Sequence, residues 1–295
     1  MSATPKAKLF EDDRFMKWLL IGPLVVFLLA FMVYPTLYSL YMSFTDYVMK
    51  GDPNFVGLDN YRWVLSDKAF WEALGRTVYV LVLCIAIELV VGMALALLLN
   101  RNFRGQGIVR GLCFIPLLVS PLSMSLMWNY ILHIQFGVVN TVLGWLGIEA
   151  VPFLSTPSMA LNTIVFITVW QWLPFSVFVL LAGLKGMPRD QFEAAQIDGA
   201  SSIRTFFRLT LPLLKPLIII IVLLRVMWLM RLFDPLYGTT RGGLNTELLD
   251  WMIYRVSFVF FDIGQGAAYA LFALYLTLIV GALLFKQLIK AMDGR

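Results

Sequence analysis

Six stretches of this chain, at about 18–43, 77–99, 110–132, 158–184, 213–233 and 264–285, each hold an apolar run of roughly 20 residues, the length a helix needs to cross a bilayer. The expected fold is therefore all-α: a polytopic membrane protein with six transmembrane helices. Composition agrees, since 60% of the 295 residues are hydrophobic and 14% charged, where soluble domains run near half and about 25%. The run Met252 to Phe261 is too short to span and contains Arg255, so it reads as an external surface or re-entrant segment.

Lys6, Lys8, Arg14 and Lys17 precede the first run like the basic start of a signal peptide. That run exceeds the usual 7 to 15 residues (roughly) and no small-residue cleavage site follows, so it is expected to stay as an anchor. Residues 1–17 set Leu9, Phe10, Phe15 and Met16 against Glu11, Asp12, Asp13 and Arg14, a pattern open to an interfacial helix or a disordered tail. Cys84 and Cys113 both fall inside spans and read as apolar fillers, without disulfide or metal-ligand spacing. With the amino terminus inside, fifteen of the 23 Lys and Arg residues fall in cytoplasmic segments and seven in external loops, Arg225 lying within a span. Both termini are thus expected in the cytoplasm. Topology accounts for the net charge of +5, which implies no nucleic-acid partner.

Between the fourth and fifth runs lies Glu193-Ala194-Ala195-Gln196-Ile197-Asp198-Gly199-Ala200, followed by Phe206, Leu209, Leu211-Pro212 and Pro216. Two short helices meeting at a glycine are expected. Ala194 and Ala195 permit close approach, Gly199 can take the positive φ that ends a helix, and Ser201 or Ser202 can cap the next one. The alternative is an amphipathic loop helix touching only lipid headgroups.

These residues resemble the "EAA" signature of the membrane-spanning subunits of binding-protein-dependent ABC importers, in which Glu-Ala-Ala, Asp-Gly-Ala and Leu-Pro recur at this spacing. The resemblance implies a type I ABC importer permease fold and an ATPase-coupling helix at Glu193, Ala194, Ala195, Asp198 and Gly199. It covers most of the chain, strongest from about Arg76 to Lys286, and divides it into a cytoplasmic segment 1–17, a first helix 18–43, an external loop 44–75, a permease core 76–288 with five further helices and the coupling loop 185–212, and a tail 289–295.

Phe55-Val56-Gly57-Leu58-Asp59-Asn60-Tyr61 resembles the loop after the first span in the carbohydrate-uptake subgroup, of maltose and glycerol-phosphate type. An aromatic interface belt is the other reading of that loop. The stretch Phe233-Asp234, Tyr237, Thr239 to Gly243 and Thr246 resembles an external segment of the same subgroup, but Leu244 stands where the pattern has proline. Gly105-Gln106-Gly107 lacks the preceding strand and third glycine of a phosphate-binding loop. His133 is the sole histidine, which excludes a histidine-cluster metal site. Pro116, Pro121 and Pro174 kink the third and fourth spans, freeing carbonyls that protein or cavity water must satisfy.

Two strongly charged residues lie well within spans, Glu88 and Arg225. Mid-membrane arginine costs about 2.5–3.5 kcal/mol on insertion scales, so it must face a cavity or a partner. Arg225 precedes Trp228 by three residues and shares its helix face. Two readings stay open: Arg225 and Trp228 line a translocation cavity, or Arg225 pairs with Glu88 or a carboxylate of another subunit. In maltose-type permeases the sugar contacts fall on the third to fifth spans, and the resemblance carries this to Ser125, Trp172, Phe175, Arg225 and Trp228. Aromatic faces suit a sugar's C–H side, and an arginine without an acidic neighbour on its face suits an anionic derivative.

The resemblance makes the chain one permease subunit of an ATP-driven sugar importer in the bacterial inner membrane. It implies a second permease subunit, two ATP-binding subunits and an extracytoplasmic solute-binding protein. The chain has no Walker loop, so it is not expected to be an enzyme or to bind a cofactor; ATP and Mg belong to the partner ATPase. An ion-coupled secondary transporter or channel is the alternative, but it usually needs several intramembrane carboxylates or inverted repeats, and Glu88 stands alone. An intramembrane enzyme would need a nucleophile, base or ligand cluster, and none is evident.

Overall fold

The computed structural model describes residues 13–293. The pattern noted in residues 1–12 lies outside them. Among the described residues five helices are long and apolar enough to cross a membrane: Met16–Met42, Lys68–Leu99, Pro157–Lys185, Ser202–Leu229 and Ile263–Met292. The third expected span, 110–132, is instead a broken pair, Gln106–Leu118 and Pro121–Ile131, bent by 98°. Proline explains the break. Ser120, forced toward extended backbone by the following Pro121, sits at φ −56° and ψ 135° and stops the first helix.

The chain forms two compact units, one built from the chain up to Ser66 with Arg255–Phe272, the other from Asp67–Tyr254 with Ala273–Arg295. In the first unit, Asn60 is the fastener. Its buried amide donates to the carbonyls of Ser43 and Thr45, at 2.9 and 2.7 Å. Asp46 accepts from the Asn54 backbone N–H at 2.8 Å and from its side-chain amide at 3.2 Å, and these bonds hold the Asp46 carboxyl below its ordinary pKa. Ile263 and Gly264 both donate to the Tyr47 carbonyl. The Phe55–Tyr61 stretch thus serves as a strap, and Phe55 itself stays exposed.

In the second unit, Lys68–Leu99 packs along Pro157–Lys185, with Leu211–Leu229 completing a core of Ala96, Leu99, Val177, Leu180, Leu181, Leu184, Leu214 and Ile221. A second cluster places Met124 and Leu132 against Ile167. Cys84 is buried and Cys113 half-buried, both free. The helix expected from residue 77 begins at Lys68, where Asp67 accepts from the Ala69 N–H at 2.9 Å. Its first turns carry Lys68, Glu72 and Arg76, paired at 3.5 and 3.6 Å, so this part of the expected 44–75 loop is helical.

The second half of the expected coupling loop is also corrected. Ser202–Thr205 is not a separate short helix but runs through a π turn, Phe206–Thr210, into Leu211–Leu229. The same device occurs in the first span, where the π turn Leu29–Val33 leads into Tyr34–Met42. Each π turn ends two residues before a proline, Pro35 or Pro212. A proline ring clashes with the carbonyl four residues back, and a widened turn relieves the clash without ending the helix.

Candidate functional site

Glu88 and Arg225, 137 positions apart, meet in the interior of the second unit. Arg225 Nε donates to Glu88 Oε2 and Nη2 to Oε1, both at 2.6 Å, and the residues are 0% and 1% exposed. This is the two-toothed geometry in which a planar guanidinium meets a carboxylate best. Burying either charge alone would be costly; together they are mutually satisfied. No further hydrogen bond to Arg225 is made among the described residues, which leaves Nη1 without one. The unpaired arginine behind the anionic reading is therefore paired.

Arg225 nevertheless lines a cavity of about 280 Å³ with Pro121, Gln171, Trp172, Trp228, Arg231, Phe233 and Asp234. Its guanidinium stands 5.0 Å from the Trp172 ring, so the cation–indole contact runs between helices rather than down one face to Trp228. Trp172 and Trp228 lie with centroids 4.4 Å apart, and Phe175 meets Trp228 edge-on at 5.2 Å. Four of the five expected pathway residues are thus brought together, three lining the cavity and Phe175 backing Trp228.

Ser125 is the exception. It is fully buried, donates to the Leu122 carbonyl at 2.7 Å and packs directly on Gly238, where even a methyl group would collide with its Oγ. Residues missed from sequence are Gln171, Arg231 and Asp234. Gln171 Nε2 donates to the Val119 carbonyl at 2.9 Å, satisfying an acceptor at the break in the third span. A glutamine inside an apolar run, next to Trp172, was the available signal. Asp250, on the short helix Leu249–Tyr254, is raised above the ordinary carboxylate range by burial, with Arg231 opposing the shift and Asp234 adding to it.

The residues expected to couple to an ATPase sit elsewhere: Glu193, Ala194 and Ala195 on the exposed helix Arg189–Ile197, and Asp198 and Gly199 in the turn that ends it. Glu193, Ala194 and Asp198 are exposed and Ala195 is half-buried. Gly199 has φ +70°, the left-handed conformation that ends the helix at low cost only for glycine, and Ser201 Oγ caps the next turn by accepting from the Arg204 N–H. Three large apolar side chains stand out around this turn, Ile197 at 87% exposure, Ile203 at 73% and Phe207 at 61%. Among the described residues no cluster of three or more metal-ligating groups occurs. In the turn with the departed proline, Leu244 and Asn245 have φ 56° and 58°, a backbone that proline at that position could not adopt.

Comparison with known proteins matches residues 88–295 to the family described as "binding-protein-dependent transport system inner membrane component". A trehalose/maltose transport system permease from Thermococcus litoralis is 34% identical over 92% of this chain and 93% of its own length. A sulfoquinovosyl glycerol transport system permease from Agrobacterium fabrum is 35% identical over 95% of this chain and 92% of its own. A chain of a bacterial alginate ABC transporter, crystallised with its alginate-bound periplasmic protein, superposes with a TM-score of 0.80 at 20% identity, over 94% of each chain, and shares the fold.

Proposed function

Because the chain belongs to the family of binding-protein-dependent transport system inner membrane components, we propose that it is one permease half of an ATP-driven importer for a sugar or sugar-like solute. The chain is a transport subunit and not itself an enzyme. The observation that carries the reading is the exposed Arg189–Ile197 helix, ended by Gly199 at φ +70° and ringed by Ile197, Ile203 and Phe207. Apolar side chains on a polar turn need a partner surface, and a cleft in an ATP-binding subunit fits. From Ser202 the chain runs without a loop into the helix that carries Arg225 and Trp228, so a push on the turn has a rigid path to the cavity.

At the cavity, the indoles of Trp172 and Trp228 offer flat apolar faces beside a guanidinium, which suits a ring with hydroxyls on its rim. Relatives named for sugar transport support the same class. In this reading the full assembly has a second permease subunit, two ATP-binding subunits and an extracytoplasmic solute-binding protein. ATP and Mg are used by the ATPase. Both termini face the cytoplasm from the inner membrane, following the placement of Lys and Arg.

Reconstitution in liposomes tests this. Flux of the sugar bound by the cognate binding protein is expected only with all subunits and ATP, and none from the purified chain alone. Flux through the single chain without ATP would contradict the importer reading and favour an ion-coupled transporter.

A further inference from the structure

Glu88 has no place in the sequence signatures above; it lies fully buried behind the cavity wall, bound to Arg225, which lines it. Its carboxylate takes two N–H groups of Arg225, Nε and Nη2, in parallel bonds of 2.6 Å. That is the arrangement a carboxylate, phosphate or sulfonate group of a solute would seek from an arginine. Resting on the reading of this cavity as the solute path, we propose that Glu88 is its resident counter-anion and that it sets the solute's charge class: neutral, hydroxyl-rich molecules in place of anionic ones.

The other charges around the cavity act in the same direction. Arg231 lines it, but Asp234 lines it too, and Asp250 lies within the electrostatic reach of both. Two carboxylates, Glu88 bound to Arg225 and Asp234 on the cavity lining, thus match the two guanidinium groups. An incoming anion would meet Arg225 with its best edge taken and a carboxylate beside it, and would have to displace Glu88 into an apolar interior. A hydroxyl needs only one donor, which Nη1 can supply, and the Trp172 and Trp228 rings do not depend on charge. Discrimination therefore arises from a group already seated in the competitor's place, a repulsive element as well as an attractive one.

The test uses inorganic sulfate as the probe, so it does not depend on knowing the sugar. The complete transporter is purified as wild type, as Glu88→Gln and as the double variant Glu88→Gln with Arg225→Gln. Thermal unfolding is followed in sodium sulfate and in a neutral osmolyte of equal osmolality. Sulfate is expected to raise the melting temperature of Glu88→Gln by several degrees more than that of wild type, and the gain should vanish in the double variant. If Glu88→Gln assembles only when sulfate is present, the proposal is supported, because the ion then stands in for the missing carboxylate. Equal response of wild type and Glu88→Gln, a gain that persists in the double variant, or failure of Glu88→Gln to assemble even in sulfate would overturn it. Loss of sugar flux in Trp228→Ala tests the solute path itself, so the two claims can fail separately.

Discussion

The interior pair and the outward turn treat their polar groups in opposite ways. Glu88 and Arg225 satisfy each other inside the chain, at 0% and 1% exposure. The Arg189–Ile197 helix and the turn after it present Glu193, Ile197 and Asp198 outward and leave an unfinished surface. A buried charge pair is completed by its own fold, whereas an exposed turn with apolar flanks is the kind of surface that a partner protein covers. Substitutions should separate them: in the first region they disturb stability, in the second they disturb communication.

The largest effect is expected at the pair. Glu88→Met or Arg225→Met alone leaves a buried charge without its partner, at a cost of about 3–5 kcal/mol, while the double Met variant should recover most of it. Thermal unfolding of the detergent-solubilised complex checks this, and tolerance of both single changes would remove the pair's structural role. Next is Gly238→Ala, which drives a methyl group into Ser125 and should cost about 1–3 kcal/mol. Ser125→Gly should relieve that strain, whereas Ser125→Ala alone should leave uptake unchanged, which separates this packing residue from the pathway.

A smaller change is expected at the cavity wall. Trp228→Ala should weaken solute use roughly tenfold, equivalent to about 1.4 kcal/mol, with normal assembly. Uptake kinetics would show it as a raised apparent KM. The smallest lies in the first unit, where Asn54→Ala removes the side-chain bond to Asp46 but keeps the backbone N–H bond, so the Asp46 pKa should rise only part of the way toward its ordinary value. Because Asp46 is held low by Asn54, its contribution is present above the ordinary carboxylate range and fades as pH falls through the lowered value. A carboxyl-carbon titration by NMR reads that shift directly.

Legibility from sequence followed the range of the interactions. Apolar runs announce spans, because a helix in lipid must satisfy its own backbone. The Gly199 turn and the Ser201 cap were equally legible, since they depend on neighbours within a few residues. The start at Lys68 was not, because Lys68, Glu72 and Arg76 interrupt the apolar run while pairing along the helix. Pro116 and Pro121 signalled a kink, but the 98° break is also held by Gln171, a residue far along the chain. Glu88 and Arg225 both read as costly from the sequence, which leaves their pairing as one of two readings. Only the packing of Lys68–Leu99 against its neighbours could choose it and place Trp172, rather than Trp228, beside the guanidinium.

The central claim is that the Gly199 turn carries ATPase action to the cavity, and Gly199→Leu tests it most directly. A large side chain at φ +70° is strained and obstructs close approach, while the helices that insert in the membrane are untouched. The measurement is ATP hydrolysis by the reconstituted complex with and without its solute-loaded binding protein. The variant should assemble and insert normally yet lose the stimulated component. Full stimulation in a correctly assembled Gly199→Leu complex would contradict the account.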